Sequence, residues 1–304
     1  MSSPSQRDVY QQVTDQIIAA MEAGAGNWEM PWHRSGTANG RPVNAHTGNA
    51  YRGVNIISLW ASAESRGFTT STWGTYRQWQ EMGAQVRKGE KSSLVVFYKQ
   101  FDAAESDSGE GDDQGDTRRM FARASWVFNA DQVDGWTLPV KEPVINSVEH
   151  IERAERVATN SGAIIRHGGD RAFYMPSSDY VQMPDKCQFT GTATRSATES
   201  YYATLLHELT HWSGSAKRLE RTFGKRFGDD AYAMEELVAE LGAAFLCSTL
   251  GIAPQARPDH AAYIDHWLRV MKGDKRAIFT AASKASQAAD YLAAYENLER
   301  GAAA

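Results

Sequence analysis

Residues 204–214 read TLLHELTHWSG, two histidines four apart with a glutamate directly after the first. On a helix that spacing sets His207 and His211 on one face, about 5–6 Å apart at Cβ, so both imidazoles can reach one ion while Glu208 sits beside it. Zinc accepts imidazole nitrogen, and a zinc centre that does chemistry takes three protein ligands and keeps a fourth position open. One more ligand must therefore arrive from elsewhere in the chain. The segment EELVAE, residues 235–240, supplies carboxylates, and Glu236 and Glu240 fall one turn apart on one helical face. Glu236 is expected as the third ligand of one Zn2+ per chain, with Mn2+ or another divalent cation as the alternative, and Glu240 as the acceptor for a ligating imidazole's other N–H. A cation held there acidifies a water and polarises a carbonyl, and Glu208 stands where the general base for that water is needed. Tyr232 stays open between an oxyanion donor and a packing residue.

A five-residue motif can arise by chance, so the elements around it matter. Leu205, Leu206 and Leu209 give the motif helix a buried side away from its histidines, and Gly214 follows where that helix should end. The carboxylates sit on a following helix, residues 231–251, with further helices over 258–273 and 283–299. Ahead of the motif, residues 146–162 read as a helix from Ser147 to Gly162, and three extended pieces at 163–167, 171–175 and 179–183 read as a small antiparallel sheet. The stretch 173–183, FYMPSSDYVQM, is expected as an edge strand that could hold a substrate chain beside the site.

The front half has a different texture. Val9, Val13, Ile17 and Met21 mark a helix ending at Gly24; a Gly, Asn and Pro-rich loop leads to helical periodicity over 54–67, then a short helix over 71–84. Residues 92–101 and 118–129 read as β-strands joined by an acidic loop, 102–116. A linker is expected at 136–146, dividing an α+β domain, 1–135, from a mainly helical domain, 147–304.

The formal charge is -5, but it is unevenly spread. Residues 1–130 carry 13 Lys and Arg against 14 Asp and Glu, and seven of those acids lie in 102–116. Without that loop the front half is electropositive, and seven of the nine tryptophans stand at or before position 136. Bases interleaved with aromatics suit single-stranded nucleic acid, where cations follow phosphates and rings stack on bases; tryptophans also fill cores. Arg52, Trp73, Tyr76, Arg87, Lys88, Lys91 and Lys99 are the candidate contacts. The clustering of acids in one loop argues against an acidic surface that imitates DNA. No run of about 18 apolar residues is present, which excludes a membrane helix, and the polar N-terminus with two unrelated cysteines, read as ordinary buried thiols, leads to the expectation of a cytoplasmic protein.

Three stretches, VNAHTGNAYRGVNIISLW, TWGTYRQWQEMGAQVRKGEKSSLVVFY and VFNADQVDG, resemble the N-terminal domain of ArdC-type plasmid antirestriction proteins, shared with TraC-type plasmid primases. HELTHWSG with YAMEELVAELGAAFL resembles their C-terminal zincin-like metallopeptidase domain of gluzincin type. The resemblance runs in order over nearly the whole chain. It implies a front domain that binds single-stranded DNA, a zinc-dependent metallopeptidase whose protein substrate is unknown, and protection of incoming conjugative plasmid DNA from host restriction. The other reading is a non-enzymatic DNA-binding protector with a structural or vestigial metal site.

Overall fold

The apolar stripe of residues 9–21 forms α1 (Val9–Gly24), with Val13, Ile17, Ile18 and Met21 buried. The structure, a computed structural model, describes residues 8–24, 40–101, 119–137, 147–191, 196–223, 230–253 and 261–297. The acidic loop 102–116 and most of the expected linker, 138–146, lie outside the described residues. After β1 (Val43–Asn44), α2 (Val54–Arg66) ends at Gly67, whose φ of 67° is the left-handed turn that a glycine adopts without a Cβ clash.

Residues 71–84 depart from the sequence expectation of one helix. They divide into β2 (Thr72–Gly74) and α3 (Tyr76–Glu81). Thr75 is the cause: its hydroxyl accepts the Gln78 N–H while the Gln78 side chain accepts the Thr75 N–H, a reciprocal cap that can only begin a helix after Gly74. β3 (Gln85–Val86) follows, then the long strands β4 (Ser93–Phe101) and β5 (Arg119–Asn129) at the expected places, a 3₁₀ turn, and β6 (Val133–Asp134). The front sheet runs β1-β2-β5-β4, with β3 and β6 paired separately.

β4 is thus an edge strand, and an open edge invites pairing with another chain. α2 closes it. Asn55 donates to the Val96 carbonyl at 2.8 Å and accepts the Val96 N–H at 2.7 Å, and Ser58 donates to the Leu94 carbonyl at 3.0 Å. These bonds account for two of the buried polar side chains on α2, and Gln16 of α1 donates to the third, Ser62, at 2.8 Å.

In the back half α4 (Ser147–Asn160) leads into β7 (Ile164–His167), β8 (Phe173–Met175) and β9 (Tyr180–Met183), followed by α5 (Ala197–Ser213), α6 (Ala231–Leu250), α7 (Ala261–Gly273) and α8 (Ala277–Ala293). The small sheet is mixed. β8 and β9 form the expected antiparallel hairpin, but β7 lies parallel on the far side of β9, because the chain crosses to the outer edge before it turns back. α8 starts at Ala277 rather than near 283, since Ala277, Ile278, Phe279, Ala281 and Ala282 extend its buried face towards the N-terminus.

The architecture is two-domain α+β, yet the domains are not separate beads. Val13 and Ile17 of α1, Ile56 and Leu59 of α2, Phe245 of α6, Trp267 of α7 and Ile278 of α8 belong to one continuous buried cluster. Trp60 of α2 meets Phe245 with ring centroids 5.8 Å apart. A smaller cluster gathers around Trp79. No helix among the described residues is long and apolar enough to cross a membrane.

Candidate metal centre

α5 begins with a reciprocal cap, Ser196 accepting the Glu199 N–H at 3.2 Å and Glu199 accepting the Ser196 N–H at 2.9 Å. Leu205, Leu206 and Leu209 are buried on it, and His207 and Glu208 are almost as enclosed, each 3% exposed. α6 crosses beside α5 and brings its carboxylates to the histidine face.

Glu236 reaches both imidazoles. Its Oε2 lies 3.7 Å from Nε2 of His207 and its Oε1 lies 3.5 Å from Nε2 of His211. Ligand atoms from His207, His211 and Glu236 all fall within 4.8 Å of one another. Donors about 2.1 Å from a shared tetrahedral ion stand about 3.4 Å apart, so two imidazoles and a carboxylate at these separations fit a divalent cation in both spacing and chemistry.

The other face of each ring meets a second carboxylate. Nδ1 of His207 lies 3.6 Å from Glu240, the residue expected there from sequence. Nδ1 of His211 lies 3.2 Å from Oε1 of Glu235. Glu235 is itself gripped by Arg221, whose Nε and Nη2 donate to its two oxygens at 2.8 and 2.5 Å while Nη2 also donates to the Thr210 carbonyl at 2.7 Å. The sequence reading missed both Glu235 and Arg221 in this role. The doubled glutamate was the available signal: two adjacent helical residues point about 100° apart and so can serve the metal face and the outer face of one histidine.

The electrostatics follow from this crowding. Burial alone would lower the His211 pKa, but hydrogen bonds to Glu235 and Glu236, with the Glu208 charge nearby, raise it to about 10. Burial alone would raise Glu236, yet its hydrogen bonds with the two histidines hold it well below the usual carboxylate range. The centre is a concentration of negative charge around two imidazoles, which favours a cation.

A cleft of about 940 Å3 opens onto these groups, with Phe173 and Tyr174 of β8 along one wall. β8 is an edge strand of its sheet, whereas β9, the rest of the stretch 173–183 expected at the edge, is the central strand. It is pinned from behind: Tyr174 donates to Asp179 at 2.9 Å, and Arg218 pairs with Asp179 and lies over the Trp212 ring at 3.8 Å. Tyr232 lines the cleft and is 63% exposed, which is not the exposure of a packing residue. Its hydroxyl pairing with Tyr263, its partial burial and the Glu236 charge raise its pKa, so its hydroxyl stays protonated.

Close approach of α5 and α6 sets the centre's width. A Cβ at Gly242 would meet Thr210 Cγ2 at 2.6 Å. Gly242→Ala gains about 1 kcal/mol of helix propensity but overpacks the crossing at a cost of about 1–3 kcal/mol. The expected outcome is a lower melting temperature together with weaker divalent-cation binding by titration calorimetry, because Glu236 moves away from the histidines. A variant at least as stable as wild type with unchanged metal affinity would show that this crossing does not set the site.

Of the front-half candidates, Tyr76, Arg87 and Lys88 line one cleft, and Arg52, Trp73 and Lys91 lie outside its lining. Trp73 is 1% exposed, packed edge-on against Phe68 at 5.8 Å, and offers no face to a base; the sequence expectation for it is corrected by its place on a buried strand. Arg52 pairs with Asp290 of α8, and Arg87 pairs with Glu90 and Asp134. Tyr76 is 44% exposed, and Lys88 and Lys91 are exposed. Lys99 lies on β4 where its side chain is outside those described. Phe97 and Trp126, 48% and 52% exposed on the β4–β5 pair, are the open aromatic faces that the sequence reading did not single out. Of the two cysteines, Cys247 is buried as expected and Cys187 is exposed.

Comparison with known proteins places these features. Residues 7–128 match the family described as the N-terminal domain of anti-restriction factor ArdC, and residues 152–284 match a zincin-like metallopeptidase family. An uncharacterized protein, y4eC, of Sinorhizobium fredii is 52% identical over 97% of this chain and 96% of its own length. DNA primase TraC of Escherichia coli is 37% identical over 94% of this chain, which spans only 27% of that primase. The crystal structure of the antirestriction protein ArdC from plasmid R388 matches over 96% of this chain and all of its own, at 38% identity, with a TM-score of 0.78 in its metal-free form and 0.74 in its Mn(II)-bound form.

Proposed function

The chain belongs to the ArdC antirestriction family, and from that premise we propose that it holds single-stranded DNA on its front domain and acts as a divalent-metal peptidase with its zincin-like domain, protecting incoming plasmid DNA from host restriction in the cytoplasm. The observation that carries the peptidase reading is the Glu236 carboxylate set against Nε2 of both His207 and His211, with Glu208 on the same cleft. The Mn(II)-bound relative supports a divalent cation at this centre; two imidazoles and a carboxylate favour zinc. When bound, the cation supplies Lewis acidity that polarises a carbonyl and acidifies water.

The chain's own residues do the rest. His207, His211 and Glu236 hold the ion, and Glu240 and Glu235 fix the ring orientation of the two histidines. β8 offers its free edge to an extended peptide, which pairs by backbone hydrogen bonds alone and so carries little sequence demand. Glu208 takes the proton of the attacking water and returns it to the leaving amine. Tyr232, neutral and exposed at the cleft, donates to the oxyanion.

A second reading has its own support. Arg221, Glu235, His211 and Glu236 form an ion network that is charge-compensated without any ion, as a structural site would be. The protein would then protect by covering DNA, with no peptide cleaved.

The DNA half of the proposal has a direct test. Full-length protein is expected to bind oligonucleotide single strands more tightly than duplex, with log K falling as log salt rises. Lys88→Gln with Lys91→Gln should flatten that slope by about 0.7 for each phosphate left without its cation. Tyr76→Ala should weaken binding with the slope unchanged. Equal affinity for duplex, or affinity indifferent to salt, removes single-stranded DNA from the proposal.

A further inference from the structure

A cleft of about 830 Å3 lies between the front domain and α8, apart from the metal centre. One wall is the segment from Asn44 to Asn55, which enters α2; the other is the α8 face bearing Phe279, Ser283, Ser286 and Gln287. The seam between them is tied. Gly53 donates its N–H to Ser286 at 2.9 Å, and Asp290 of α8 pairs with both Arg52 and Arg41.

Three kinds of group line this space. Tyr51, Phe97 and Phe279 supply aromatic rings, and Phe97 is half exposed. Asn44, Asn49 and Gln78 supply carboxamides; Gln78 is held by Thr75 at 2.9 Å and Asn44 at 3.1 Å, both donating to its Oε1, which fixes how that amide is presented. Arg52 stands at the cleft beside the first turn of α2, where the Ile56 N–H donates to the Gly53 carbonyl at 3.1 Å. No aspartate or glutamate is among the described lining residues.

We propose that this cleft takes one unpaired nucleotide of a single strand, its base against the aromatic rings and carboxamides and its phosphate at Arg52 and the start of α2. Rings stack on any base, and a carboxamide presents a donor and an acceptor side by side as base edges require. A guanidinium beside the start of a helix suits a phosphate, which would share Arg52 with Asp290, the carboxylate that pairs with it at the seam. A cleft of this size is in the range that encloses a small ligand. The inference rests on the single-strand reading of the front domain and narrows it. The site is incomplete without α8, so a helix of the zincin-like domain takes part in holding DNA.

The experiment uses full-length protein, a fluorescein-labelled thymidine oligomer for anisotropy and a 5-iodouracil oligomer for photocrosslinking. Ser283→Trp fills the cleft from α8, and Asn49→Ala removes a carboxamide; Lys272→Gln, on α7 and outside the lining, is the comparison. Ser283→Trp should lose about tenfold or more in affinity with metal content unchanged, Asn49→Ala several-fold, and crosslinks should map to residues 49–55 or 96–97. Should Ser283→Trp fail to fold, Asn49→Ala and the crosslinks decide. Wild-type binding with both variants unaffected, or with crosslinks confined to Trp126, overturns the cleft and leaves the single-strand reading standing. Absence of wild-type binding overturns both.

Discussion

Glu236→Ala is expected to emerge from dialysis without metal under conditions that leave wild type with one divalent ion per chain. The carboxylate is the group that faces both imidazoles, at 3.7 and 3.5 Å, and without it two neutral ligands remain on one helix. Glu235 is adjacent in sequence but in a different state. Both of its oxygens accept from Arg221, a bidentate pair that leaves it poorly placed to bind an ion. Glu235→Gln and Glu240→Gln should therefore keep metal and lose about 10–100-fold in affinity, the size expected when a group orienting a ligand is removed. Elemental analysis and the metal-dependent rise in melting temperature measure the ranking, since an ion that binds only the folded state stabilises it in proportion to the logarithm of its concentration over Kd. If Glu235→Ala loses the ion and Glu236→Ala keeps it, Glu235 and not Glu236 is the third ligand.

That ranking also marks how far the sequence could be read. His207, Glu208 and His211 were legible because a helical repeat of 3.6 residues turns the interval of four into one face, and Glu236 and Glu240 because the same rule applies one helix later. Arg221 was not legible. It follows the motif helix in a stretch with no periodicity, and only the folded chain brings it to Glu235. Trp73 failed for a related reason: composition counts tryptophans without saying which are buried, and the Thr75–Gln78 cap that ends β2 reads from sequence as part of a helix. β1, β3 and β6 are two-residue strands, too short for alternation to register. The Pro-bearing stretch at 136–146 reads as a linker, but a linker does not reveal whether its ends are docked. Here the buried cluster running from α1 and α2 into α6, α7 and α8 fixes the domains together, so the front domain is held near the metal centre by packing rather than by a tether.

Packing of that kind makes Glu208→Gln the decisive substitution. The residue is buried on the cleft but is not among the grouped ligand atoms, and glutamine keeps its shape while removing its basicity. Fold, metal content and DNA affinity should all match wild type. Peptide cleavage should fall by about 10²–10⁴ in kcat/KM, the range a positioned general base supplies. Plasmid transfer into restricting and non-restricting recipients then separates the two readings of the family's activity in this chain. Under the peptidase reading, Glu208→Gln loses the advantage in restricting recipients alone, as fully as a variant that no longer binds DNA. If Glu208→Gln protects as well as wild type while the DNA-binding variant fails, cleavage is not the protective act. The charge-compensated network of Arg221, Glu235, His211 and Glu236 would then be read as structural, and protection assigned to the coverage of single strands.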